Sequence, residues 1–254
     1  MAGRVYEWDD YFIPGTGVLK NLPGLTDSDQ LYDYEYAKSL LRQQQIELGI
    51  AKIPATLDGE HLQALHRYLL QDVYEWAGEF RTVNIVNEKP RDMWADPNVK
   101  EVGHFVHHQN MPQALNFLTD MIDATDWHHL DADQMASKLA DVHSHVNMAH
   151  PFREGNGRVT RLFVEAVADH AGYDIRGPLP DKKSYIRAVI LADDNQPSAL
   201  EAIWRSRIAP LPSQLERPAP PLLAERVARL RVEAAPQIAP TLRRAAGYYG
   251  PSIN

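Results

Sequence analysis

The stretch His150-Pro151-Phe152-Arg153-Glu154-Gly155-Asn156-Gly157-Arg158-Val159-Thr160-Arg161 is a polar, glycine-bearing run set between two apolar-periodic segments. Before it, Met135, Leu139, Val142 and Val146 recur at three- and four-residue steps, which predicts a helix over about 131–148. After it, Val159, Leu162, Phe163, Ala166 and Val167 give a second amphipathic helix, closed near Gly172. The run is therefore a loop between two helices that each bury one face, and the expected fold class is all-α.

The loop's residue types carry chemistry. Glycines around Asn156 let backbone N–H groups turn toward one point, and the N-terminus of the following helix adds a positive dipole end. Gly155-Asn156-Gly157 thus reads as an anion cradle. Arg158 and Arg161 are three residues apart and share a helix face. Their forked guanidiniums suit a polyphosphate. Glu154 would repel a bare phosphate, and makes sense if it holds Mg²⁺, which binds through one or two carboxylates plus substrate phosphates. His150, with an ordinary pKa near 6.5, can take a proton from an incoming hydroxyl as a general base. Each feature alone is more often a turn, a structural histidine or a solvated arginine pair. Together, within a dozen residues, they describe nucleotidyl or phosphoryl transfer, without saying which phosphorus is attacked.

Farther out, the pattern stays helical. Thr26-Asp27-Ser28-Asp29 supplies cap chemistry for a helix running to about Leu48 and ended by Gly49. Leu62, Leu65, Leu69 and Val73 predict a helix over about 58–76, stopped by Gly78. Phe80 to Val86 is β-branched and alternating and is followed by a turn at Asn87-Glu88-Lys89-Pro90, so a short hairpin is expected over 80–90. Helices are expected at about 97–109, 112–124, 181–193 and 197–208. After Ile208, prolines 210, 212, 218, 220 and 221 read as a linker, and 222–235 as a basic, Arg-rich helix. The expected division is a body over 1–208, with its core at about 56–208, and a tail over 209–254.

Composition narrows the function classes. The 254 residues are 44% hydrophobic, enough for one sizeable core, and the net charge of −8 gives no basic field for nucleic acid. Cysteine is absent, which excludes disulfides, zinc–thiolate sites and thiol catalysis. No apolar run approaches the roughly 20 residues that span a bilayer, and the first ten residues lack a signal peptide's apolar core. The expected compartment is the cytoplasm, with export as a secreted effector left open.

The loop is similar to the motif of the Fic (filamentation induced by cAMP) family, His-x-Phe-x-(Asp/Glu)-Gly-Asn-Gly-Arg-x-x-Arg, at every fixed position. Leu69-Leu-Gln-Asp-Val-Tyr-Glu-Trp-Ala-Gly-Glu-Phe-Arg-Thr-Val-Asn-Ile resembles the helix and flap entry of that family. Asp10-Tyr-Phe-Ile-Pro-Gly-Thr-Gly-Val-Leu-Lys-Asn resembles its N-terminal lead-in. The resemblance spans roughly 9–208. It implies an all-α Fic fold, a helical bundle with a small β-hairpin flap, and a protein adenylyltransferase that moves AMP from ATP to a Tyr, Thr or Ser hydroxyl. It implies His150 as general base, Phe152 as the loop's core anchor and Glu154 as the Mg²⁺ ligand. It implies Gly155, Asn156 and Gly157 as the anion hole, with Asn156 on the α-phosphate, and Arg158 and Arg161 on the outer phosphates. Thr82, Val83, Asn84 and Ile85 would belong to the flap that aligns the target segment by strand addition. Relatives that run the nucleotide as a kinase does carry Lys where this chain has Gly157.

Many Fic proteins are held off by a Ser/Thr-x-x-x-Glu-Gly/Asn motif whose Glu pairs with the second motif Arg. Here only Thr56 to Glu60 has the spacing, and His61 stands where Gly or Asn is required. Thr56 reads as a helix start and Glu60 as a surface acid, so a separate, small antitoxin-like inhibitor is expected. The resemblance leaves the target open, with a topoisomerase subunit or a GTPase as the family's precedents and a bacterial toxin role, acting on growth and cell division, favoured. Two other readings stand beside it: a non-catalytic Fic-fold binding module, and a metal-dependent phosphohydrolase using clustered histidines such as His143, His145 and His150, His107-His108 or His128-His129. None of these has His-Glu-x-x-His spacing.

Overall fold

A computed structural model describes residues 5–89 and 101–211. The expected linker from 212 onward, the basic helix of the tail, Pro90 of the expected turn and residues 97–100 of the expected helix over 97–109 lie outside the described residues. Among the described residues, seven α-helices and two small antiparallel pairs of strands make up the body: α1 Ser28–Glu47, α2 Gly59–Leu70, β1 Val86–Lys89, β2 Glu101–His104, α3 Met111–Asp123, α4 Ala132–Ala149, α5 Asn156–His170, β3 Tyr173–Ile175, α6 Lys182–Asp193, α7 Ser198–Arg207 and β4 Ile208–Pro210. No described helix is long and apolar enough to cross a membrane.

Caps set the helix starts. Asp27 accepts from the N–H groups of Asp29 and Gln30 at the head of α1, and Asp58 from His61 N–H at the head of α2. Asp131 and Gln134 form a reciprocal capping box on α4. Pro112 sits in the first turn of α3, where its missing N–H costs nothing. Thr56 does not start the helix as expected, because Asp58 takes the cap and Thr56 Oγ1 only donates to the Asp58 carboxylate; Glu60 is an exposed acid of the first turn, as expected.

Burial follows the apolar periodicity. Leu62, Leu65 and Leu69 of α2, Met135, Leu139, Val142 and Val146 of α4, and Val159, Phe163 and Val167 of α5 form one core. α4 and α5 pack on each other, α2 covers α5, and α3, α6 and α7 enclose α4. The two helices flanking the loop are thus fixed from several sides, and the loop is presented by the centre of the bundle.

α2 ends at Leu70, earlier than the expected Trp76. The N–H groups of Val73 and Tyr74 both turn back to Leu70 O, at 2.9 and 3.0 Å. The chain then folds its aromatic residues over α2: Tyr74 stacks on Trp76 at 4.3 Å, and Trp76 lies 5.9 Å from the ring of His66. Burying two large aromatics outweighs another helical turn.

The hairpin is also displaced. Residues 80–85 form no strand; β1 begins at Val86 and pairs with β2 in the register Val86↔His104 to Lys89↔Glu101. Over 101–109, the described part of the helix expected at 97–109, β2 and the start of a 3-10 turn at His108–Asn110 stand instead. Thr82, Val83, Asn84 and Ile85 therefore lie at the root of the flap, not in its pairing strand. Other partners take their polar groups first. Thr82 Oγ1 accepts from Tyr6 N–H at 2.8 Å and donates to Tyr6 O at 2.7 Å, and Asn84 Oδ1 accepts from His108 N–H at 3.0 Å. Val83 is buried.

One further pairing has no counterpart in the sequence reading. β3 and β4 pair Tyr173 with Pro210 and Ile175 with Ile208, so the body continues through Pro210 and the expected boundary at 208 falls inside a strand. Three-residue strands are too short to show alternation.

Candidate active site

His150 closes α4 in the left-handed region, at φ 45° and ψ 57°. That conformation costs a non-glycine residue roughly 1–2 kcal/mol and turns the chain sharply out of the helix. The imidazole Nδ1 lies 3.2 Å from Asn147 O. A carbonyl only accepts, so Nδ1 carries a hydrogen, and in the neutral ring the lone pair is on Nε2, as a base requires. Phe105, just after β2, stacks on the imidazole at 3.7 Å and 13°.

Phe152 is fully buried and anchors the loop. It stacks on His66 at 3.9 Å and 9° and leans on Phe80 at 5.4 Å. His66 has no exposed surface, and burial pushes its pKa down to about 3, so it is neutral. Gly78 N–H donates to His66 Nδ1 at 2.7 Å, which leaves Nε2–H to donate to Glu154 O at 3.0 Å. One histidine tautomer thereby ties α2 to the backbone of the loop.

Gly155, Asn156 and Gly157 form the turn into the N-terminus of α5. Gly155, at φ 79°, sits where a side chain would be strained, and a Cβ there would come within 2.7 Å of Leu70 Cδ1. The Asn156 side chain accepts from Phe152 N–H at 2.9 Å and donates to Phe152 O at 2.8 Å. It knots the loop from within, and the backbone N–H groups of Asn156 and Gly157, at the start of α5, are what a helix N-terminus offers an anion. Gly157 is exposed.

The arginines divide. Arg158 is 4% exposed; its Nη1 donates to Ser39 Oγ at 2.8 Å and its Nη2 pairs with Glu35, and both partners belong to α1. Tyr74 OH also donates to Glu35. In this structure Arg158 is a buried strut between α5 and α1. Arg161 is half-buried, with Nη1 3.7 Å from where a Gly157 Cβ would lie, beside the open end of the cradle. Glu154 is half-buried at the loop's turn, and its Oε1 accepts from Gly155 N–H at 3.0 Å. A hard carboxylate oxygen beside a phosphate cradle fits Mg²⁺.

Four residues that sequence reasoning passed over help to build the site: His66, Glu35, Arg153 and Phe105. Arg153 lies over the rings of Trp8, Phe12 and Tyr11 at 4.5, 5.2 and 5.8 Å, which fastens the N-terminal lead-in to the loop. His66 had a signal, because it falls on the apolar face of α2 next to Leu62, Leu65 and Leu69. The others had none, since their partners are distant in sequence. The histidine sets do not assemble: His143 Nε2 meets Tyr185 OH in the core, His145 Nδ1 donates to Asp141 O, and no group of three possible metal ligands occurs among the described residues.

A helical bundle that presents a histidine, a carboxylate and a helix N-terminus from one inter-helix loop has the architecture of a Fic protein. A model of the Fic/DOC family matches residues 56–168. The chain is 30% identical over 201 residues to the Salmonella typhimurium protein named "Probable protein adenylyltransferase Fic", covering 79% of this chain and 92% of that one. It is 32% identical over 209 residues to protein adenylyltransferase VbhT of Bartonella schoenbuchensis, covering 81% of this chain but only 40% of that longer protein. Among solved structures, the N-terminal Fic domain of a VirB-translocated Bartonella quintana effector with bound ADP superposes with a TM-score of 0.69, at 26% identity, over 82% of this chain and 98% of that domain. The chain belongs to the Fic family.

Proposed function

We propose that this chain is a protein adenylyltransferase that moves AMP from ATP to a side-chain hydroxyl of another protein. The observation that carries the reading is the state of His150: its Nδ1–H is held by Asn147 O, which leaves the lone pair on Nε2. The residue stands at the mouth of a loop whose other end is a helix N-terminus. The target hydroxyl oxygen forms a bond to the α-phosphorus as its proton passes to His150 Nε2. The bond from that phosphorus to the α–β bridging oxygen breaks, and pyrophosphate leaves with the electron pair. The N–H groups of Asn156 and Gly157 hold the anionic oxygens in place, and Arg161 steadies the outer phosphates. Glu154 would hold Mg²⁺, which neutralises phosphate charge when bound.

Gly157 supports this reading. A Cβ there would meet only Arg161 Nη1, at the ordinary distance of 3.7 Å. The protein's own packing does not require glycine at that position, whereas a phosphate approaching the helix N-terminus does. The names of the relatives point the same way. A Tyr, Thr or Ser of a topoisomerase subunit or a GTPase is the target class, and a small inhibitor protein acting on Arg161 is the regulatory partner, as in a toxin–antitoxin pair.

Incubation of a cell lysate with α-labelled or γ-labelled ATP tests the reaction. Label should reach protein only from the α position, require Mg²⁺, and disappear with His150→Ala. Transfer from the γ position would show a kinase instead, and unchanged α transfer by His150→Ala would remove the proposed base.

A further inference from the structure

Arg81 is 2% exposed, and everything its side chain grips is backbone. Nε donates to His150 O at 2.7 Å, Nη1 to Val83 O at 2.7 Å, and Nη2 to Val106 O and to Ala149 O, the latter at 3.2 Å. Its own backbone N–H donates to Pro151 O at 2.9 Å. A guanidinium stripped of water is costly unless its donors are satisfied. Burial lowers its pKa to about 10, so it stays a cation at neutral pH.

The carbonyls fall into two sets. Ala149, His150 and Pro151 are the end of α4 and the turn out of it, where helix carbonyls lack intrahelical donors and the helix dipole is negative. Val83 and Val106 are the two stems of the flap, on either side of β1 and β2. The return stem is also tied directly to α4, since Val106 N–H donates to Met148 O at 2.9 Å and Phe105 stacks on His150. His150 holds a left-handed backbone, a strained state that persists only when its surroundings over-determine it. Arg81 supplies much of that constraint, gripping three consecutive carbonyls across the strained residue.

We propose that Arg81 is a positioning residue that locks both stems of the flap to the turn carrying His150, so that flap placement and orientation of the base are one event. It acts through His150, and the proposal rests on the reading of His150 as the base. Lysine cannot replace it, because a single ammonium has no planar fork to reach stems and turn at once. The nucleotide cradle is held separately, by the Asn156 knot and by His66 on Glu154 O. Loss of Arg81 should therefore slow chemistry while leaving ATP binding in place.

The test compares Arg81→Lys, Arg81→Met and Arg81→Ala in the full chain, reading ATP affinity by calorimetry and label transfer from α-labelled ATP to lysate protein at saturating ATP. Transfer should fall about 100-fold in all three, the loss that follows a misplacement of order 1 Å. ATP affinity should stay within about threefold, a split that separates positioning from collapse. Millimolar guanidinium should restore at least about tenfold in Arg81→Ala, which leaves a hole for it, and nothing in Arg81→Met, which fills the hole. The proposal is overturned if ATP affinity falls in step with transfer, if Arg81→Met or Arg81→Lys works at the wild-type rate, or if guanidinium leaves a folded, ATP-binding Arg81→Ala unchanged. A His150→Ala protein that still transfers α label would instead refute the base, whatever the Arg81 variants do.

Discussion

At the residue scale, His66 separates two roles that one ring combines. Its Nδ1 receives Gly78 N–H and its Nε2–H holds Glu154 O, while its face carries Phe152. Glutamine places an amide where Nε2 lies, and asparagine places one where Nδ1 lies. His66→Gln should keep the grip on Glu154 O and most of the transfer activity. His66→Asn should keep only the bond to Gly78 and lose at least tenfold in transfer rate, about 1.4 kcal/mol in the barrier. Label-transfer kinetics of the two variants decide it, and equal rates would mean that the bond to the loop does not matter. Of the site, what the sequence displayed was the twelve-residue motif itself. The packing of Arg158 on α1 was hidden because its partners, Glu35 and Ser39, are more than a hundred residues away in sequence, at separations that no local pattern reveals.

At the element scale, α4 ends at His150 and α7 supports it. Trp204 of α7 is fully buried and lies 5.6 Å from the ring of His143 on α4. Trp204→Ala should cost about 3–5 kcal/mol. In a body of this size that lowers the melting temperature by roughly 6–20 °C. Thermal unfolding followed by circular dichroism measures it, and a shift of a degree or two would mean that α7 is peripheral. The helices of the core were legible because each buries a stripe at 3.6-residue spacing, and α3 to α7 lie within a few residues of their expected bounds. The hairpin expected at 80–90 is present but starts later, at Val86, and its return strand takes the place of helix expected from 101 onward. Thr82 and Asn84 are held by Tyr6 and His108, partners distant in sequence, and composition does not record that.

At the scale of the whole molecule, buried histidines govern acid stability. Burial holds His61, His66 and His143 at about 4, about 3 and about 3, against 6.5 in the unfolded chain. Between those values and 6.5 the unfolded state binds more protons than the folded one, so stability is complete above pH 6.5 and declines as pH falls below it. Each group contributes a slope of up to about 1.4 kcal/mol per pH unit. Glu165 works in the opposite direction, because burial raises its pKa to about 7 and folding favours its proton between 4.5 and 7. Three groups against one predict a melting temperature that falls steadily from pH 6.5 to pH 5. A flat profile over that range would show that the three imidazoles are not held neutral in the folded state.

The two glycines of the cradle answer to different masters. Position 155 is claimed by architecture, through a left-handed backbone and the neighbouring leucine of α2. Position 157 is open, and the bundle stands whatever occupies it. A lineage can therefore alter how a bound nucleotide is seated by changing one exposed residue, without rebuilding anything beneath it. That freedom lets one scaffold diversify its chemistry faster than its shape.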